Sequence, residues 1–155
     1  MSEDNEALLF ADDAAIAAVG NGLLDRDLPR PAWTHEAHLA ACAWLIRMRP
    51  DIDLEHELPA IIRGYNAAVG GVNDDHQGYH ETITQFMLAT VRAFLARAEM
   101  AIPLVDAVNA LLVAPEGHRE WPLRFYSRER LFSVEARRGW VDPDLIGTVP
   151  RQPST

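Results

Sequence analysis

The chain contains no lysine; all 14 of its Lys-or-Arg positions are arginine. Schiff-base catalysis and the lysine of a phosphate-binding loop are thereby excluded. It has one cysteine, Cys42, so no intramolecular disulfide can form, and a reducing cytoplasm is the expected compartment. The longest uninterrupted apolar run, Leu39 to Ile46, is only eight residues, far short of a bilayer span. The Met1–Glu6 start is acidic and lacks a positive n-region followed by an apolar h-region, so no signal peptide is expected. Neither Gly-x-Ser-x-Gly nor Gly-x-Gly-x-x-Gly occurs, which removes the signatures of hydrolase elbows and dinucleotide sites.

Positive charge is scarce as well. The net charge of −9 argues against general binding to nucleic acid or to an anionic membrane. The scarcity is uneven, because residues 118–138 hold six arginines against three acids. Two readings follow: the segment docks onto the acidic remainder, or it walls a pocket for an anionic small molecule, whose carboxylate or phosphate an arginine fork suits.

At 155 residues, with 48% hydrophobic and 24% charged side chains, the chain reads as one domain over 1–150 with a flexible tail over 151–155. The periodicity is helical and no alternating run suggests a strand, so the expected fold is an all-α antiparallel bundle of about five main helices and a C-terminal segment of short helical turns. The first helix is expected over Glu6–Val19, capped by Asp4 or Asn5 and stopped by Gly20-Asn21-Gly22. Thr34 caps a second, running to Pro50, with His38, Cys42 (or Ala41), Leu45 and Met48 inward. A third covers Leu54–Val69, where Pro59 implies a late start or a kink. The fourth, the longest, lies within Gly78–Glu99; Ile83, Met87, Val91 (or Thr90) and Phe94 form its apolar face, which extends back to Thr84 and His80. Ile102–Val113 is the fifth. Ser127 and Ser133 read as caps of two short turns, and Pro143 and Pro150 close the ordered part.

Short links make successive helices antiparallel, so the second and fourth start at the same end of the bundle. His35 and His38 should then lie near His80 and Glu81, with Asp74, Asp75 or His76 in reach. Histidines at i and i+3 project from one face and can hold a metal between two helices. Against this, a single helical histidine is more often a packing residue, and His35-Glu36-Ala37-His38 is one residue short of the metalloprotease spacing. Cys42 could join such a site as a thiolate, although a lone cysteine among alanines is more often core.

Thr34-His35-Glu36-Ala37-His38, Tyr79-His80-Glu81-Thr82-Ile83-Thr84, Tyr126-Ser127-Arg128-Glu129-Arg130-Leu131 with Ser133, Glu135-Ala136-Arg137, and Val141-Asp142-Pro143-Asp144-Leu145 together resemble a family of small uncharacterised bacterial proteins. The resemblance spans roughly Trp33 to Leu145, and its specific parts are the Tyr-His-Glu-Thr element and the C-terminal Tyr-Ser-x-x-x-Leu-x-Ser segment. It brings no reaction with it. It implies that His35, His38, His80 and Glu81 belong together with Tyr126, Ser133 and Arg137. The run Ile146-Gly147-Thr148-Val149-Pro150 departs from the Pro-Leu-Pro continuation of that family.

Two functions remain open. In the first, a small cytoplasmic enzyme holds a divalent metal (zinc, manganese or iron) on His35, His38, His80 and Glu81. His80 and Glu81 are its catalytic pair, with Glu81 a ligand or a general base in hydrolase- or lyase-like chemistry. Tyr79, Thr84, Tyr126, Arg128, Arg130 and Arg137 would bind a small anionic substrate. In the second, the histidines are structural and the chain is a metal-free small-molecule-binding or protein-interaction module. A homodimer through an apolar helix face is compatible with both.

Overall fold

The computed structural model describes residues 9–98 and 102–145, and among these every regular element is helical. Five long helices come first: α1 (Asp13–Asp25), α2 (His35–Met48), α3 (Leu54–Ala68), α4 (Glu81–Arg97) and α5 (Leu104–Val113). Two short ones, α6 (Arg128–Leu131) and α7 (Val134–Arg138), follow, and tight 3-10 turns occupy Arg30–Ala32, Pro115–Gly117 and Trp121–Arg124. The all-α expectation holds. The expected caps at Asp4 or Asn5, the stop at Pro150 and the tail 151–155 lie outside the described residues.

α2 is the central element, and its composition explains why. Ala37, Ala40, Ala41 and Ala43 are buried, so neighbouring helices approach its backbone closely, while Leu39, Trp44 and Leu45 fill the gaps between them. Thr34 caps it as expected, its hydroxyl accepting from the Ala37 N–H at 3.1 Å. Met48 is 54% exposed and His38 also faces out, so these two expected inward residues are not core.

α1 departs most from expectation. It starts at Asp13, capped by Asp12, and runs through Gly20 and Gly22 to Asp25. Residues 9–12 are not helical, and Glu6–Leu8 lie outside the described residues. The glycines do not stop the helix because large side chains from elsewhere occupy the space their side chains would take. A Cβ on Gly20 would lie 2.3 Å from Cε3 of Trp44. The stop is Arg26, in the left-handed region at φ 62°. Gly20→Ala should therefore destabilise the protein by ~1–2 kcal/mol, because ring overlap outweighs the ~1 kcal/mol that alanine gains in helix propensity. Denaturant unfolding beside Asn21→Ala, an exposed neighbour, checks this; a stabilised Gly20→Ala would refute the packing account.

Pro59 sits inside α3 without breaking it. Its missing N–H frees the Glu55 carbonyl, which accepts instead from Gln85 Nε2 of α4 at 3.1 Å.

α4 buries two faces. Leu88, Val91 and Leu95 join the main core with α1, α2, α3 and α5. Phe86, flanked by Ile83 and Met87, joins a smaller core with Phe125, Tyr126, Leu131, Ala136 and Val141. Of the expected stripe, Val91 and His80 are buried while Ile83, Thr84, Met87 and Phe94 are half-buried, and the other covered positions of the helix are Thr82, Phe86, Leu88 and Leu95. The small core is what holds the C-terminal segment, residues 121–145, against the start of α4.

Candidate functional site

Trp33, beside the start of α2, meets Tyr65 at 5.3 Å between ring centroids, and Arg63 covers the Tyr79 ring at 4.7 Å. The starts of α2 and α4 therefore both lie by the C-terminal half of α3, at one end of the bundle. The histidines nevertheless engage different partners. His35 Nε2 donates to the Gly117 carbonyl at 2.7 Å, after α5. His38 Nδ1 donates to the Thr34 carbonyl at 2.6 Å, and its ring stacks on Trp33 at 3.8 Å. Neighbouring protein atoms crowd the His38 ring and pull its pKa down to about 4, with the nearby His35 adding to the effect.

His80 is buried and is the N-cap of α4. Nδ1 accepts from the Ile83 N–H at 3.1 Å while Nε2 donates to the Leu131 carbonyl at 2.7 Å. These two bonds require one neutral tautomer, with the proton on Nε2. Burial lowers its pKa, and the positive charge of Arg137 acts in the same direction. A metal ion at either nitrogen would have to displace a hydrogen bond that ties the helix start or the C-terminal segment.

The other expected site residues are similarly committed. The Tyr79 hydroxyl donates to Glu81 Oε1 at 2.6 Å with Thr84 beside it; burial, then the Glu81 carboxylate, raises the tyrosine pKa. The Tyr126 hydroxyl donates to the Val141 carbonyl at 2.7 Å. Arg130 Nε donates to the Asp142 carbonyl at 2.6 Å, and Arg137 Nη1 to the carbonyls of Gly78 and Tyr79 at 2.9 and 3.3 Å. Arg128 is exposed and lies 3.8 Å from Glu120. Arg138 grips Asp75 through two bonds of 2.7 and 2.8 Å. Ser127 and Ser133 cap α6 and α7. Cys42 is buried, which pushes its thiol up to about 12 and leaves it unreactive. Among the described residues no three His, Cys, Asp or Glu side chains gather to hold a metal, so the expected convergence of His35, His38, His80 and Glu81 into one ligand set does not occur. A shared end of the bundle does not make the side chains point at one place.

Thr82 is the residue whose role the sequence reading missed. It is 0% exposed; its hydroxyl donates to the Gly139 carbonyl at 2.9 Å and accepts from the Val141 N–H at 3.1 Å. Together with His80 and Arg137 it latches the C-terminal segment to the start of α4, and the Tyr126–Val141 bond closes that segment on itself. The Tyr79–Thr84 stretch and the Tyr126–Leu145 segment are thus the two halves of one hydrogen-bonded latch. The available signal was the threonine's place one turn before Phe86 on the buried face.

An open groove of about 990 Å³ lies between the end of α5 and the 3-10 turns after it. Leu9, Leu112, Val113, Pro115, Trp121 and Leu123 supply its apolar walls, and His118, Glu120 and Arg124 its polar edge. Leu9 and Val113 are 56% and 70% exposed. Its sequence signal is an apolar run, Leu111-Leu112-Val113, carried to the helix end just before Pro115.

No helix among the described residues is long and apolar enough to cross a membrane. Comparison with protein-family models, with curated proteins and with solved structures finds no match for this chain.

Proposed function

We propose that the chain is a cytoplasmic, metal-free binding module in which the histidines are structural and a small molecule is the ligand. The observation that carries this reading is the engagement of both His80 nitrogens with backbone groups of two different elements. A metal-dependent hydrolase or lyase built on His80 would have to displace one of its two hydrogen bonds, to the Ile83 N–H or to the Leu131 carbonyl. Either loss leaves a covered polar group without its partner, at about 1–3 kcal/mol. The lone, buried cysteine supports the compartment.

Elemental analysis of tag-free protein, purified without chelator or nickel column, tests the metal-free part. Well under one equivalent of transition metal is expected, and no shift in Tm after incubation with zinc, manganese or iron. His80→Ala should lower stability by ~2 kcal/mol through the lost cap and tie, leaving metal content unchanged. A near-stoichiometric metal that disappears in His80→Ala would overturn the proposal and restore the hydrolase or lyase reading.

A further inference from the structure

Residues 121–145 cover the start of α4 through a core of their own. Phe125, Tyr126, Leu131, Ala136 and Val141 pack on Phe86, whereas the main core is drawn from residues 10–112. The chain just before this segment is pinned separately: the Gly117 carbonyl accepts from His35, and the Glu116 carboxylate from Arg97 at 3.0 Å. One titratable group holds the segment in a form that geometry fixes. His80 Nδ1 accepts from the Ile83 N–H while Nε2 donates to the Leu131 carbonyl. A proton added at Nδ1 sets donor against donor at the Ile83 N–H, so the imidazolium cannot keep both bonds. Two charges act on the ring: Arg137 of α7 opposes the imidazolium, and Glu81 of its own helix favours it. The other charged groups on the elements around it are engaged elsewhere or exposed. Arg130 donates to the Asp142 carbonyl, Arg138 pairs with Asp75, and Asp74 accepts from the His76 and Gln77 N–H groups. Arg63 of α3 lies over the Tyr79 ring, Arg128 approaches Glu120, and Glu129, Glu135 and His76 are exposed.

We infer that residues 121–145 form an acid-sensitive flap, which parts from the start of α4 when His80 takes up a proton at Nδ1 while the five long helices stay packed. In the open state the ring lies in water and titrates at its ordinary value, about 6.5. In the closed state burial, and then Arg137, hold it lower. The open state therefore binds more protons. The flap is held fully above about pH 6.5 and weakens as pH falls below it, by up to about tenfold in the closed-to-open ratio per pH unit, until the covered ring itself protonates. Carboxylates do not give this response: the bonds from Arg138 to Asp75 and from Ser127 to Asp144 keep both acids below their usual range, so they stay charged throughout. Opening bares Phe86 on α4 and Phe125, Leu131 and Val141 on the flap, an apolar surface presented in acid and covered at neutral pH. The switch rests on the metal-free reading of His80 proposed above. Elemental analysis decides that reading; the comparison below, made after dialysis against chelator, decides the switch.

Amide exchange of the full chain is followed by NMR between about pH 7.5 and about pH 5.5, each rate being divided by the intrinsic rate at that pH. Val141, whose N–H donates to Thr82 Oγ1, reports the flap, and Leu45 reports the main core. The opening constant at Val141 should exceed that at Leu45 throughout, and should rise several-fold, up to about tenfold, on acidification. His38, which burial holds at about 4, lies in α2 and so enters at Leu45, not at a flap that opens alone. His80→Asn keeps a cap acceptor that does not titrate, so the pH response at Val141 should disappear whatever its base level. His76→Gln, at an exposed position in the preceding loop, should leave that response intact. In the unmodified chain the His80 ring should carry its proton on Nε2 and titrate below the same ring in the urea-unfolded chain. The switch is refuted if Val141 and Leu45 open together, if the Val141 response is flat, or if it survives in His80→Asn. A His80 ring that titrates alike in the folded and unfolded chain refutes it equally, and needs no variant.

Discussion

Thr82→Val should destabilise the protein by ~3 kcal/mol although it replaces one side chain by another of nearly the same shape. The substitution leaves the half-buried Gly139 carbonyl and the buried Val141 N–H without their partner, at about 1–3 kcal/mol each. Valine adds a methyl where the hydroxyl was, and no exposed position is available to it, because Thr82 is completely covered. For a chain of this size the loss corresponds to a fall in Tm of about 6–12 °C. Thr82→Ser keeps the hydroxyl and removes only a methyl, so about 1 kcal/mol is expected. Thermal unfolding of the pair, with hydrogen exchange at Gly139–Val141, separates the two effects. Exchange at those amides should rise far more in Thr82→Val than in Thr82→Ser. Equal losses in both variants would mean that packing, not the hydrogen bonds, holds the latch.

Helix starts at Thr34, Ser127 and Ser133 were legible because a cap is decided within four residues. The buried face of α5 was legible for a similar reason, since Leu104, Val108, Leu111 and Leu112 meet one core. α4 serves two cores on two sides, so no single stripe describes it: Val91 of the expected stripe lies in the main core, whereas Ile83, Met87 and Phe94 are only half-buried. The continuation of α1 through Gly20 and Gly22 was illegible, because Trp44 and Leu28 decide it from elsewhere in the chain. The histidines combine both situations. Their place at one end followed from periodicity and link length, and that place is what the geometry of Trp33, Tyr65, Arg63 and Tyr79 supports. Their roles depend on carbonyls at Gly117 and Leu131, which lie 82 and 51 residues further on. No local pattern could have located those acceptors. A buried histidine that caps a helix and ties a distant strand of chain needs the same sequence surroundings as one that holds a metal.

The Asn73–Tyr79 turn that delivers His80 to its cap position should be the most sensitive loop in the protein, and Gly78→Ala should show it with a loss of ~3 kcal/mol or more. Gly78 has φ +85°, and a Cβ there would lie 2.2 Å from the Val72 carbonyl oxygen and 2.7 Å from Asn73 Oδ1. Neither neighbour can yield cheaply. Val72 offers backbone, and Asn73 Oδ1 accepts from the Tyr79 N–H while its amide donates to the Arg63 carbonyl. The Gly78 carbonyl is also held by Arg137, so moving the turn loosens the latch from its other side. Gly70 supplies the control within the same molecule. Its φ of +87° is nearly identical, but a Cβ there would meet nothing within 4 Å. Gly70→Ala should therefore cost only the left-handed penalty, about 1 kcal/mol. The difference between the two substitutions, measured by denaturant unfolding, isolates the steric and latch contribution from the conformational one. Near-equal losses would show that the turn relaxes freely, and that the position of His80 at the start of α4 is held by its own hydrogen bonds to Ile83 and Leu131 rather than by the loop that precedes it.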